Sequence, residues 1–157
     1  MPERNTPEYY AMGLIDQLLL QGQDSKLYQS LVQGKGYTGN VNGGINYLGN
    51  MYNYNGPMVW MADLIYDASI SPDSIVHQVD QAVADLEKGV SQEDLDLAIV
   101  KIRSQFYDNL AGLGIGRADL LACFALFDDD PARINSIEAE FRKVTPELTF
   151  GQPTELY

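Results

Sequence analysis

Apolar residues recur at helical spacing in six stretches of the chain, and most of these stretches carry their own start and stop signals. In the first, Ala11, Leu14, Ile15, Leu18 and Leu19 share a face. Thr6 can cap that helix, Pro7 suits its first position, and Glu8 complements the positive end of its dipole. Gly22 stops it. Asp24 or Ser25 then caps a short helix with Leu27, Tyr28 and Leu31 on one side. Ser71-Pro72-Asp73 repeats the first cap, followed by Ile75, Val79, Ala82 and Leu86 on one stripe and Gly89 just past the end. Ser91 to Asp94 opens a further helix in the manner of a capping box, with Asp in place of the stronger Glu; its stripe is Leu95, Ala98, Ile99, Ile102 and Phe106. Residues 117–127 read as helix, and Asp130-Pro131 starts the last one, burying Ile134, Ile137, Phe141 and Val144.

Strand signals are fewer. Residues 37–46 are polar and Gly-rich but extended in character, and residues 57–66, with Met58, Val59, Trp60, Leu64 and Ile65, make a better strand bounded by Gly56-Pro57. Residues 47–55 alternate Asn and Tyr and read as a loop. This order predicts an α+β fold, a small antiparallel sheet with about six helices packed on one face. Two strands are too few to cover that many apolar stripes, which leads to the expectation that strands of the same domain lie outside this chain. The predicted organisation is a single, partial domain over residues 1–148 and a tail over residues 149–157, where the helical pattern is abandoned.

Composition changes this picture little and charge somewhat more. The 157 residues suffice for one domain with a sizeable core, and 45% hydrophobic with 20% charged residues is globular. A net charge of −12 disfavours nucleic acid and anionic membrane partners, and no apolar run approaches the roughly 20 residues that span a bilayer. No signal peptide is visible at the N-terminus, and the compartment stays open. The lone Cys123 sits in an apolar run and reads as a small buried hydrophobe.

Residues 12–41 hold an apolar helix ending at Gly22, the capped helix D-S-K-L-Y-Q-S-L at residues 24–31, a Gly-broken turn and an extended segment. The segment resembles the opening of the C-terminal-type, non-zinc domain of the insulinase/pitrilysin peptidases, the inverted zincins. The junction D-L-E-K-G-V-S-Q-E-D-L at residues 85–95 is similar to that family's link between paired helices. The resemblance runs from Thr6 to about Pro146 and implies most of one such domain, lacking its opening strand and its last helix-strand unit. Zinc hydrolysis in that family needs H-x-x-E-H, which one histidine, His77, cannot supply. The Arg and Tyr by which such domains assist catalysis would fall on Val32 and Gly39; a two-residue shift reaches Tyr37 but brings no Arg. The resemblance therefore implies no catalytic residue, no metal ligand and no cofactor in this chain, zinc belonging to a partner domain. It implies one wall of a peptide-binding chamber, with a zinc-bearing peptidase domain or homologous subunit as partner and extended peptides as ligands. Strand addition along residues 37–46 makes Tyr37, Thr38, Asn40 and Asn42 the candidate substrate-binding residues. The alternative is an assembly module that docks a partner subunit and binds no peptide.

Other motifs carry less. His77 and Asp80 share a helix face without further ligands nearby, and a solvated face accounts for them. Gly112 to Gly116 lacks the strand and Lys-Ser/Thr of a phosphate loop and reads as a joint between helices. Asp128-Asp129-Asp130 lacks the alternation of a calcium loop and reads as an acidic turn capping the next helix. The tyrosines of residues 47–54 either form a recognition surface or cover the sheet edge beside Trp60.

Overall fold

A computed structural model describes residues 1–47, 49–111 and 115–150. Helix α1 (Pro7–Leu19) begins as its signals require: Pro7 opens the first turn, and the Thr6 hydroxyl accepts from the Tyr9 amide at 3.2 Å. It is buried nearly all round, because it lies at the centre of the molecule, touching strand, long helix and C-terminal helices. Tyr10 packs edge-on against Phe141, the Tyr9 hydroxyl donates to the Met51 carbonyl, and Leu14 is fully buried.

Beyond Gly22, at φ +83°, the expected short helix forms with π winding over Tyr28–Gly34. The Lys35 amide reaches the Ser30 carbonyl at 2.9 Å, and the Tyr37 amide reaches Leu31 at 2.8 Å. The wider turn keeps Leu27 and Leu31 fully buried. Neither candidate cap acts as one. The Asp24 carboxylate pairs instead with Lys101 at 2.9 Å, and the Ser25 hydroxyl is buried without a partner.

Strands β1 (Asn42–Ile45) and β2 (Trp60–Asp63) pair antiparallel, with Asn42 opposite Asp63 and Ile45 opposite Trp60. A further bridge joins Thr38 to Tyr66. β1 contains Gly43 and Gly44 at φ +136° and +142°, a backbone that L side chains rarely adopt. A Cβ on Gly43 would stand 2.1 Å from the Met61 carbonyl oxygen, so the ladder closes only because the side chain is absent. α1 packs on β1, whereas Val59, Met61 and Ile65 remain exposed on and around β2.

Helix α2 (Pro72–Glu87) starts at Pro72 and packs against the π-wound segment, burying Ile75, Ala82 and Leu86. The Ser71 side chain makes no capping bond. Helix α3 (Gln92–Ala111) does have its cap: the Asp94 amide donates to Ser91 Oγ at 3.1 Å and the Ser91 hydroxyl to Asp94 Oδ2 at 2.7 Å. Its predicted stripe is the buried one. Helix α4 (Ile115–Asp128) buries Leu120, Cys123 and Phe124. Residues 112–114 of the glycine-rich joint lie outside the described residues.

The last predicted helix is broken into a 3-10 turn over Pro131–Asn135 and α5 (Ile137–Phe141), followed by α6 (Pro146–Phe150). Asp130 caps the turn through the Ala132 amide at 3.0 Å, and the break falls where the Ser136 hydroxyl bonds back to the Arg133 carbonyl at 3.1 Å. Ile137, Phe141 and Val144 are nevertheless buried, as their spacing requires. The architecture is mostly helical with a two-stranded antiparallel sheet, an α+β fold of the expected class. Among the described residues no single helix is long and apolar enough to cross a membrane.

Candidate functional site

Thr38, Asn40 and Asn42 come together on the approach to β1. The Thr38 hydroxyl lies 2.8 Å from the Asn40 carbonyl and 2.7 Å from the Ile65 carbonyl and accepts from the Asn40 amide at 3.3 Å. Asn40 Nδ2 donates to Asn42 Oδ1 at 2.6 Å. These bonds fix a bend at Gly39 rather than the continuous extended segment expected over residues 37–46, which is strand only from Asn42, while Asn40 and Asn42 stay exposed. Tyr37 does not join them; its ring is half-buried and packs on the core.

A groove of about 420 Å³ runs beside that segment, between β1, α1, the 46–52 loop and α3. Its polar floor escaped sequence reasoning. Asp16 and Gln17 lie on α1 between Leu14-Ile15 and Leu18-Leu19, and both are buried. Asp16 Oδ1 accepts from Trp60 Nε1 at 2.7 Å and Oδ2 from Gln21 Nε2 at 3.1 Å. Gln21 Nε2 also reaches the Gly43 carbonyl at 3.2 Å, tying β1 to the end of α1. Burial pushes the Asp16 carboxyl up, and the bonds from Trp60 and Gln21 and the charge of Lys101 only partly offset that. Gln17 Nε2 donates to Gln105 Oε1 across the groove at 2.9 Å, while Gln17 Oε1 has no donor. The available signal was Asp16-Gln17 itself, a polar pair inside an otherwise apolar helix.

The tyrosines of the 47–54 segment divide. Tyr52 and Tyr54 are buried, Tyr52 edge-on to Phe106 and Phe124 beneath the helices, and Tyr47 is exposed beside the groove. His77 and Asp80 are both exposed on α2. Asp128 belongs to no exposed turn but to a buried ion pair with Arg4. Cys123 is buried, and burial pushes its thiol up.

The residues do not fit zinc. The chain has one histidine, and among the described residues no three His, Cys, Asp or Glu side chains converge. The arrangement offers backbone, amide and carboxylate groups to a ligand.

The family model of the peptidase M16 inactive domain matches residues 1–101. A protease from Helicobacter pylori superimposes with a TM-score of 0.76 at 16% identity, over 96% of this chain and 35% of that one. The peptidase M16 inactive domain from Pseudomonas fluorescens gives 0.69 at 21% identity, over 95% of this chain and 34% of that one. The inactive peptidase domain of a candidate zinc protease from Bordetella parapertussis gives 0.71 at 17% identity, over 96% and 80%. At such identities the likeness is one of fold. The chain spans about a third of the length of the first two. No curated protein matches it.

Proposed function

The chain belongs to the peptidase M16 inactive-domain family, and on that premise we propose that it forms one wall of a peptide-holding chamber whose zinc-bearing wall is another domain or subunit. A domain of this family is not catalytic on its own. The observation that carries the reading is the small sheet. Among the described residues β1 and β2 pair only with each other, so neither has a second strand partner, although the Gly43 carbonyl of β1 already accepts from Gln21 Nε2. An extended peptide laid along residues 37–46 gains ladder hydrogen bonds there, beside a groove able to receive its side chains. Thr38, Asn40 and Asn42 hold the approach to β1 in one conformation, which lowers the ordering cost of binding. Tyr37 contributes from below, by seating the segment on the core.

Hydrogen exchange tests this directly. Saturating extended peptide is expected to slow exchange of backbone amides between residues 37 and 46, and Asn40→Pro is expected to weaken binding while the chain still melts cooperatively. Unchanged exchange in that segment with peptide in excess contradicts the reading.

A second reading, an assembly module, has its own observation. Val59, Met61 and Ile65 around β2, Val76 and Val83 on α2, and Leu97 and Val100 on α3 are all exposed apolar side chains. Self-association or capture of a partner subunit without any peptide affinity supports that reading over the first.

A further inference from the structure

The groove beside β1 holds a buried carboxylate with no cation in contact. Asp16 is 7% exposed, and both of its donors, Trp60 and Gln21, are neutral. Lys101, whose charge reaches Asp16, spends its ammonium group on the carbonyls of Gln17 and Gln21 and on the Asp24 carboxylate, at 3.0, 2.5 and 2.9 Å. A buried carboxylate is costly unless paired, and among the described residues Asp16 has neutral hydrogen-bond donors but no cation in contact.

Three further features point the same way. Gln17 is 2% exposed and lines the same groove, and its Oε1 accepts from no donor. Opposite, the missing side chain at Gly44 brings the strand close to the carboxylate: a Cβ there would stand 3.1 Å from Gln21 Nε2 and 3.6 and 3.7 Å from the two Asp16 oxygens, so a group entering here passes the Gln21 amide. Asp108 adds a second carboxylate at the exposed rim, and no lysine, arginine or histidine is among the described residues lining the groove. Acceptors and negative charge thus converge on a space that runs along the backbone of Gly43, Gly44 and Ile45. Among the described residues no three His, Cys, Asp or Glu side chains converge to hold a metal ion, and the two carboxylates of the groove lie at opposite depths.

We propose that this groove is a subsite for a basic side chain, lysine or arginine, of an extended peptide, with Asp16 as its charge partner and Gln17 Oε1 as a second acceptor. The assignment rests on the chamber-wall reading and names the substrate class for it. The peptide main chain runs along β1, and its cationic side chain enters past Gly44.

The test uses the full chain and two fluorescein-labelled, end-blocked peptides, Ala-Ala-Lys-Ala-Ala and its norleucine counterpart, followed by fluorescence anisotropy. The lysine peptide is expected to bind at least about tenfold more tightly, as a charge-assisted pair in a desolvated site should. Asp16→Asn is expected to abolish the preference, and Gln17→Glu to increase it. Equal affinity for the two peptides overturns the subsite and leaves the chamber-wall reading standing, whereas failure of both to bind removes both. If Asp16→Asn does not fold, Gln17→Glu decides: an unchanged preference counts against the subsite. Competition by n-butylammonium as strong as by the lysine peptide also overturns it, since the site would then take amines without reading a peptide.

Discussion

Arg4 and Asp128 show how much of the molecule hangs on single side chains. The guanidinium donates to both carboxylate oxygens at 2.8 and 2.9 Å and, through its third nitrogen, to the Tyr52 and Tyr54 carbonyls at 2.7 and 3.2 Å. Asn5 adds a bond to Asp128 at 2.7 Å, and Phe124 and Phe127 flank the cation. The two side chains are 4% and 3% exposed. Breaking such a pair from one side leaves a buried charge unmatched, so Asp128→Ala is expected to cost about 3–5 kcal/mol in urea unfolding. Burial alone would raise the Asp128 carboxyl, but the bonds from Arg4 and Asn5 and the charges of Arg4 and Arg133 outweigh it and hold it below the usual aspartate range. A depressed carboxyl stabilises the folded state at pH values above its unfolded value, and that contribution is lost as pH falls through the folded one. Stability should therefore drop below roughly pH 4, with a shallower acid limb in Asp128→Asn. Sequence reading saw Asp128 only as part of an acidic turn, because its partner lies 124 positions away. Asp130, whose role is local, caps as expected.

At the scale of elements the same division holds. Starts and stripes written within a few residues were legible: Thr6 and Ser91 cap, Pro7 and Pro72 open helices, and the stripe of α3 is the buried one. Ser91→Ala is expected to cost about 1 kcal/mol, read as a lower denaturation midpoint with an unchanged slope. What escaped reading depended on partners outside the window. Asp24 was drawn away from capping by Lys101, and π winding over Tyr28–Gly34 let Leu27 and Leu31 reach the core. The ribbon depends on its glycines more than on its polar side chains. Gly43→Ala would place a methyl against the Met61 carbonyl at a φ of +136°. It is expected to cost at least about 2 kcal/mol and to expose the amides of residues 42–45 and 60–63 to exchange. Ordinary protection of those amides in the variant would show that the close approach is not required.

For the whole molecule, the fold class followed from the order and spacing of the elements, and among the described residues the two expected strands pair as one antiparallel sheet. The groove was not legible, since it is assembled from α1, β1, the 46–52 loop and α3, regions brought together only by folding. That H-x-x-E-H cannot be written in this chain is legible from one number, the single histidine. A domain of this family is not catalytic on its own, and the sheet edge and acidic groove of this one support the proposal that it holds a peptide. The most direct measurement is a calorimetric titration of the purified chain with an extended, lysine-containing peptide in the presence of zinc, followed by mass spectrometry of the recovered peptide. The expected result is one saturable binding heat with the peptide recovered at full length. No binding heat, or a shortened peptide whose cleavage stops on addition of chelator, would contradict it.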